Sequence, residues 1–141
     1  MIEGLEVREL PSHLGEKGLL IELGRTAGLT SSCHSLFPEI VDAWTEHQGA
    51  IERVICLEGM IKLVTYDARP DSPTRGKVCE LFLGEYRYRE VKIPAGVLRG
   101  WKATGNRGAI VLSTFEGEDA QSRILNREEA GVPYDWDIVM K

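Results

Sequence analysis

Four residues at suggestive spacing carry the side chains most able to do chemistry in this chain. Thr45 and His47 lie two apart, Glu52 follows His47 by five, and Arg99 ends the run Pro94-x-Gly96-x-x-Arg99. An imidazole can take a proton near neutral pH. A carboxylate beside it orients the ring and raises its pKa. A guanidinium stabilises an enolate, or clamps a phosphate or carboxylate through two parallel hydrogen bonds. The expected working set is therefore His47 as base, Glu52 as its orienter and Arg99 as anion clamp. An alternative has Glu52 and Arg99 forming a satisfied buried ion pair that plugs the pocket. A metal is not expected. His47 and Glu52 supply two ligands, Thr45 is a poor third, and Arg99 repels a divalent ion. His34 adds a ligand only if its strand lies alongside.

These residues need strands to aim them. Short apolar or alternating runs recur every 8–12 residues or so, the pattern of a sandwich or barrel. The predicted strands are Gly18–Leu23, Cys33–Phe37, Ile40–His47, Arg53–Leu57, Met60–Asp67, Val78–Leu83, Arg89–Ile93, Leu98–Lys102 and Ala109–Phe115. Glu58-Gly59 reads as a tight hairpin, and Pro94-Ala95-Gly96 and Thr104–Gly108 as breakers. Arg69–Gly76 reads as a longer loop. The polar stretch Gly117–Ala130 is left as a short helix or none. Side chains alternate along a strand. Val41, Ala43, Thr45 and His47 should then share one face, and Asp42, Trp44 and Glu46 the other. Glu52, Val54 and Cys56 form one set on the next strand, and Glu52 reaches His47 if the two strands pair. Trp101 shares the parity of Arg99 and is a stacking candidate for a sugar or base. Trp44 is assigned to packing, Glu46 to an outer face or subunit interface, and His13 to the surface.

The 141 residues suit one domain, 1–141, with enough chain for a core. A net charge of −5 without a basic stripe argues against nucleic acid. No apolar run reaches the length of a membrane span, and the N-terminus lacks a signal-peptide pattern. Cys33, Cys56 and Cys79 form no Cys-x-x-Cys pair. They read as small core thiols in a reducing cytoplasm.

Thr45-x-His47, four residues, Glu52, six residues and Gly59 resemble the first cupin motif, with Thr45 where its first His stands. Pro94-x-Gly96-x-x-Arg99 resembles the second, with Arg99 where a His stands. Within that superfamily a longer set resembles the dTDP-4-dehydrorhamnose 3,5-epimerase family. It comprises Tyr66-Asp67-x-Arg69-x-x-Ser72-Pro73-Thr74-x-Gly76, Leu83-Gly84-Glu85, Ile93-Pro94-x-Gly96-Val97-x-x-Gly100-Trp101 and Val132-Pro133-Tyr134-Asp135-Trp136. Phe37-Pro38 before Ala43-Trp44 fits as well.

The resemblance implies an all-β, cupin-type double-stranded β-helix (a jelly-roll barrel) that is homodimeric and needs no metal or other cofactor. It implies a nucleotide sugar or carbohydrate as ligand. It also implies a sugar-nucleotide-directed protein, an epimerase or isomerase of a keto-sugar with an altered catalytic set. A non-catalytic sugar-binding pseudoenzyme is the alternative, and a metal-dependent cupin a third. The family's early Arg falls on Lys17 and its Glu on Glu22, while Leu20 stands for a Phe. Its basic phosphate contact falls on Asp42 and its catalytic His on Thr45. Its Lys falls near Glu52 or Arg53, and its Tyr has no counterpart in Thr114–Gly117. The expected ligand contacts are Lys17, Glu22, Thr45 and Trp101.

Overall fold

The computed structural model describes residues 2–6, 9, 11–26, 28–85, 88–117 and 121–137. The strands are β1 (Ser12–Gly15), β2 (Gly18–Thr26), β3 (Leu29–Leu36), β4 (Val41–Gln48), β5 (Ile51–Glu58) and β6 (Met60–Asp67). They continue as β7 (Val78–Gly84), β8 (Glu90–Ile93), β9 (Val97–Ala103), β10 (Ala109–Glu116) and β11 (Gln121–Ile124), followed by the one-turn helix α1 (Arg127–Ala130). Two antiparallel sheets face each other. The first has the order β1-β2-β3-β10-β5-β8 and the second β11-β4-β9-β6-β7. This is the expected jelly roll. The nine predicted strands all form, each within a few residues of its expected bounds.

Alternation builds the core between the sheets. On β5, Glu52, Val54 and Cys56 are buried while the residues between them are partly exposed. Val54, Cys56, Ile61, Leu63, Leu83, Trp101 and Val111 are at most 1% exposed and pack into one cluster. Strands β6 and β9 bury both faces, which is why their sequences read as nearly unbroken apolar runs. Their second face meets a separate cluster of Ala43, Trp44, Val64, Leu98 and Trp136, with Tyr134 and Val132 packed against it. Residues 132–136 therefore lie as a strap over the second sheet.

Four expectations need correction. Glu58-Gly59 does not close a hairpin, because β5 and β6 belong to different sheets; the turn is a corner between them. Gly59 has φ 74°, and a Cβ there would lie 2.5 Å from the Gly108 carbonyl oxygen. The stretch assigned to a short helix or none holds a strand, β11, as well as α1. Cys56 is buried, but Cys33 is only partly so and Cys79 is exposed, so the thiols are not all core residues.

The fourth concerns β4. Its pairing with β9 sets Asp42 opposite Trp101 and Thr45 opposite Arg99, so two residues of β4 face Gly100 alone. This bulge breaks the alternation. Asp42 joins Thr45 and His47 on the inner side, and Ala43 turns with Trp44 into the strap cluster.

Candidate ligand pocket between the sheets

A pocket of about 500 Å³ opens between the sheets. Leu20 of β2, Ser32 and His34 of β3 and Phe115 of β10 line it from the first sheet. Asp42, Thr45 and His47 of β4, Arg99 of β9 and Ser122 of β11 line it from the second. Lys17 and Glu22 also contribute to its walls. Residues far apart in sequence are thus gathered by register: Thr45 lies opposite Arg99 and Ile124, and His47 opposite Ser122.

Glu52 and Arg99 meet as a two-pronged ion pair. Arg99 Nε donates to Glu52 Oε1 at 2.8 Å and Nη2 to Oε2 at 3.0 Å, with the residues 1% and 3% exposed. Their strands are not paired. Glu52 comes from β5 in one sheet and Arg99 from β9 in the other, so the bond spans the barrel. Glu52 likewise reaches His47 across the barrel and not through a β4–β5 ladder. Burial works to raise the Glu52 carboxyl, but Arg99 and His47 hold it below its usual value.

His47 is buried. Its Nδ1 lies 3.0 Å from Ser122 Oγ, and its Nε2 lies 3.7 Å from Glu52 Oε1 without a hydrogen bond. The ring packs on Phe115, centroid to centroid 4.5 Å. Burial pushes its pKa down, and the opposing pull of Glu52 does not reverse this, because Arg99 also acts against the charged ring. The imidazole is therefore neutral at pH 7. The expected increase in basicity does not occur, since Glu52 already shares its charge with Arg99.

His34 stands on the other wall, with Nε2 3.3 Å from Ser32 Oγ. Burial, then Arg99, lowers its pKa to about 4. It lines the same pocket as His47, but with Glu52 the two do not make a ligand set. Glu52 is engaged by Arg99 and His47 by Ser122, and no group of three His, Cys, Asp or Glu among the described residues is arranged to hold a metal ion.

Trp101 is fully buried, so its indole offers no face to a ligand. It sits beneath the pocket and acts through three neighbours. Arg99 Cζ lies 3.8 Å over its ring, His34 meets its edge at 5.0 Å, and its Nε1 donates to Asp42 Oδ2 at 3.3 Å. Lys17 pairs with Asp42 at 3.4 Å, and Glu22 with His13 Nε2 at 2.9 Å. Glu46 is nearly buried and accepts from Gln48 Nε2 at 3.0 Å.

The model of the dTDP-4-dehydrorhamnose 3,5-epimerase family matches residues 44–140. The chain belongs to this family. A relative described as a probable low-salt glycan biosynthesis epimerase, from Haloferax volcanii, is 29% identical over 148 residues, covering 96% of this chain and 95% of the relative. The crystal structure of a dTDP sugar isomerase from Desulfovibrio desulfuricans superposes with a TM-score of 0.68 at 27% identity, covering 96% and 92% of the two chains. The rmlC epimerase of Mycobacterium tuberculosis shares the fold, with a TM-score of 0.66 at 19% identity over 92% and 72%. The family match includes Trp44, Gly100, Trp101 and Trp136, the residues that join β4, β9 and the strap.

Sequence reasoning did not place Ser122 in this pocket, reached Asp42 only through the resemblance, and gave His34 only a conditional place. Gln121–Ile124 is too short to display alternation against its polar surroundings. Alternation set Asp42 on the opposite face because the bulge is invisible to it. For His34, the signal available was its alternation with Ser32 on a predicted strand.

Proposed function

We propose that this chain is a keto-sugar epimerase or isomerase of glycan biosynthesis, acting on a nucleotide-linked sugar in the pocket between its sheets. One observation carries the reading: neutral imidazoles line the pocket from both sheets, His34 from the first and His47 from the second. Inverting a carbon beside a ketone requires a base on one face and an acid on the other. Neutral imidazoles on two walls supply such a pair. Arg99 lies at the same pocket, where its charge favours an enolate. The working set is thus an altered one, since Thr45, where the resemblance sets the family's catalytic His, cannot act as a base near pH 7.

The test is deuterium incorporation from heavy water into dTDP- and UDP-linked 4-keto-sugars, read by mass spectrometry. Exchange is expected in the wild type. It should fall at least about 100-fold in His47→Gln and in His34→Gln. Full exchange in both variants refutes the assignment of bases.

A second reading, binding without turnover, is favoured by the buried Glu52–Arg99 pair. It fills the pocket floor with a cation whose Nε and Nη2 are already bonded. Ligand-induced thermal stabilisation without any exchange would select it.

A further inference from the structure

We propose that Ser122, His47 and Glu52 form a proton relay in which the Ser122 hydroxyl meets the ligand and His47 is the base behind it. Ser122 Oγ lies 3.0 Å from His47 Nδ1, and the other ring nitrogen faces Glu52 Oε1 at 3.7 Å. The order is hydroxyl, imidazole, carboxylate, the order in which a base and its orienting carboxylate activate a nucleophilic hydroxyl.

Three features make the pair more than a chance contact. Ser122 and His47 are direct partners in the β11–β4 ladder, so the backbone register sets their approach. The imidazole is held from behind by Phe115, and Glu52 is held by the two bonds from Arg99. His47 Nε2 is buried with no hydrogen-bond partner, while Ser122 is exposed and lines the pocket. His47 also lines the pocket, but its Nδ1 is met by Ser122 and its Nε2 faces Glu52, so a proton passes between the imidazole and a bound molecule by way of the hydroxyl.

The step balances within these groups. As Ser122 Oγ accepts a proton from the ligand, or forms a bond to an electrophile, its own proton passes to His47 Nδ1. The resulting imidazolium lies beside the Glu52 carboxylate. Reversal returns the proton to Ser122. For its substrate the relay rests on the keto-sugar reading, but the activation of Ser122 can be tested without one.

The probe is an alkyl fluorophosphonate. A P–O bond forms to Ser122 Oγ, the P–F bond breaks, fluoride leaves, and the hydroxyl proton goes to His47. Intact mass and peptide mapping should find one label per chain, on Ser122. Ser122→Ala should stay unlabelled, and His47→Gln should label at least about 100-fold more slowly. Thermal unfolding of each variant confirms that it is folded. No label, a label on another residue, or a rate indifferent to His47→Gln overturns the relay. Solvent exchange separates this failure from that of the function. Wild-type exchange that persists undiminished in Ser122→Ala overturns the relay and leaves the epimerase reading standing. Labelling as expected, with no exchange on any keto-sugar, supports the relay and removes that reading.

Discussion

Lys17, in the turn that leads into β2, reaches Asp42 of β4, Nζ to Oδ1 3.4 Å apart, so that a cation at the edge of one sheet is held by a carboxylate from the other at the pocket wall. Arg99 is held in the same way by Glu52. Both cations named among the pocket's described lining residues thus face carboxylates, and a phosphate must compete with them.

Asp42→Asn should tighten dTDP binding. It removes a negative charge, frees Lys17, and keeps an oxygen to accept from Trp101. A partly exposed pair of this kind contributes about 0.2–1 kcal/mol, so the gain is up to about fivefold. Titration calorimetry reads it. Unchanged or weaker affinity would show that phosphate does not approach this wall.

Glu52→Ala should be severely destabilising, by about 3–5 kcal/mol, because it strands the Arg99 guanidinium in a buried site. Removing both charges is different. Glu52→Leu with Arg99→Met should recover most of that loss, since two apolar side chains need no partners. Urea unfolding of the single and double variants makes the comparison, and a double variant no better than the single one contradicts it.

Acidification should weaken the fold before the carboxylates take part. A histidine free in the unfolded chain titrates near 6.5, whereas His34 in the folded chain titrates at about 4. His47 is also lowered. The unfolded state therefore binds protons that the native state refuses. The stability contributed by neutral burial is present above pH 6.5 and is lost as the pH falls toward the folded values. Each histidine adds at most about 1.4 kcal/mol per pH unit. Unfolding curves at pH 7, 5.5 and 4.5 measure the slope. His34→Asn should flatten it, and an equal slope in that variant would assign the effect elsewhere.

Gly100→Ala should loosen the strap. A Cβ at Gly100 would lie 2.6 Å from Ala43 Cβ and 2.7 Å from Trp136 Cζ2. Overpacking of this sort costs about 1–3 kcal/mol. Faster proteolysis near Tyr134 and Trp136, with the pocket residues intact, is the expected signature.

The fold was legible because barrel strands repeat a simple pattern. Val54 and Cys56 alternate with Arg53 and Ile55, and glycine and proline mark the corners. The Glu52–Arg99 pair was legible too, as one of two readings, since a buried carboxylate and a buried guanidinium satisfy each other. What was lost depended on geometry that sequence does not display. One extra residue in β4 reverses the side of Asp42. A four-residue edge strand carries Ser122 to His47. The direction of the His47 shift depended on a balance of burial against charge, and Glu52 had already committed its charge to Arg99.

The bulge in β4 also separates two kinds of inheritance. Ala43 and Trp44 turn outward into the strap cluster, where a change of shape would disturb folding. Asp42, Thr45 and His47 turn inward, where a change of chemistry leaves the strap untouched. A single strand can therefore keep its architectural residues while its reactive ones drift. Trp44 serves the strap, and Thr45, one residue away, serves the pocket.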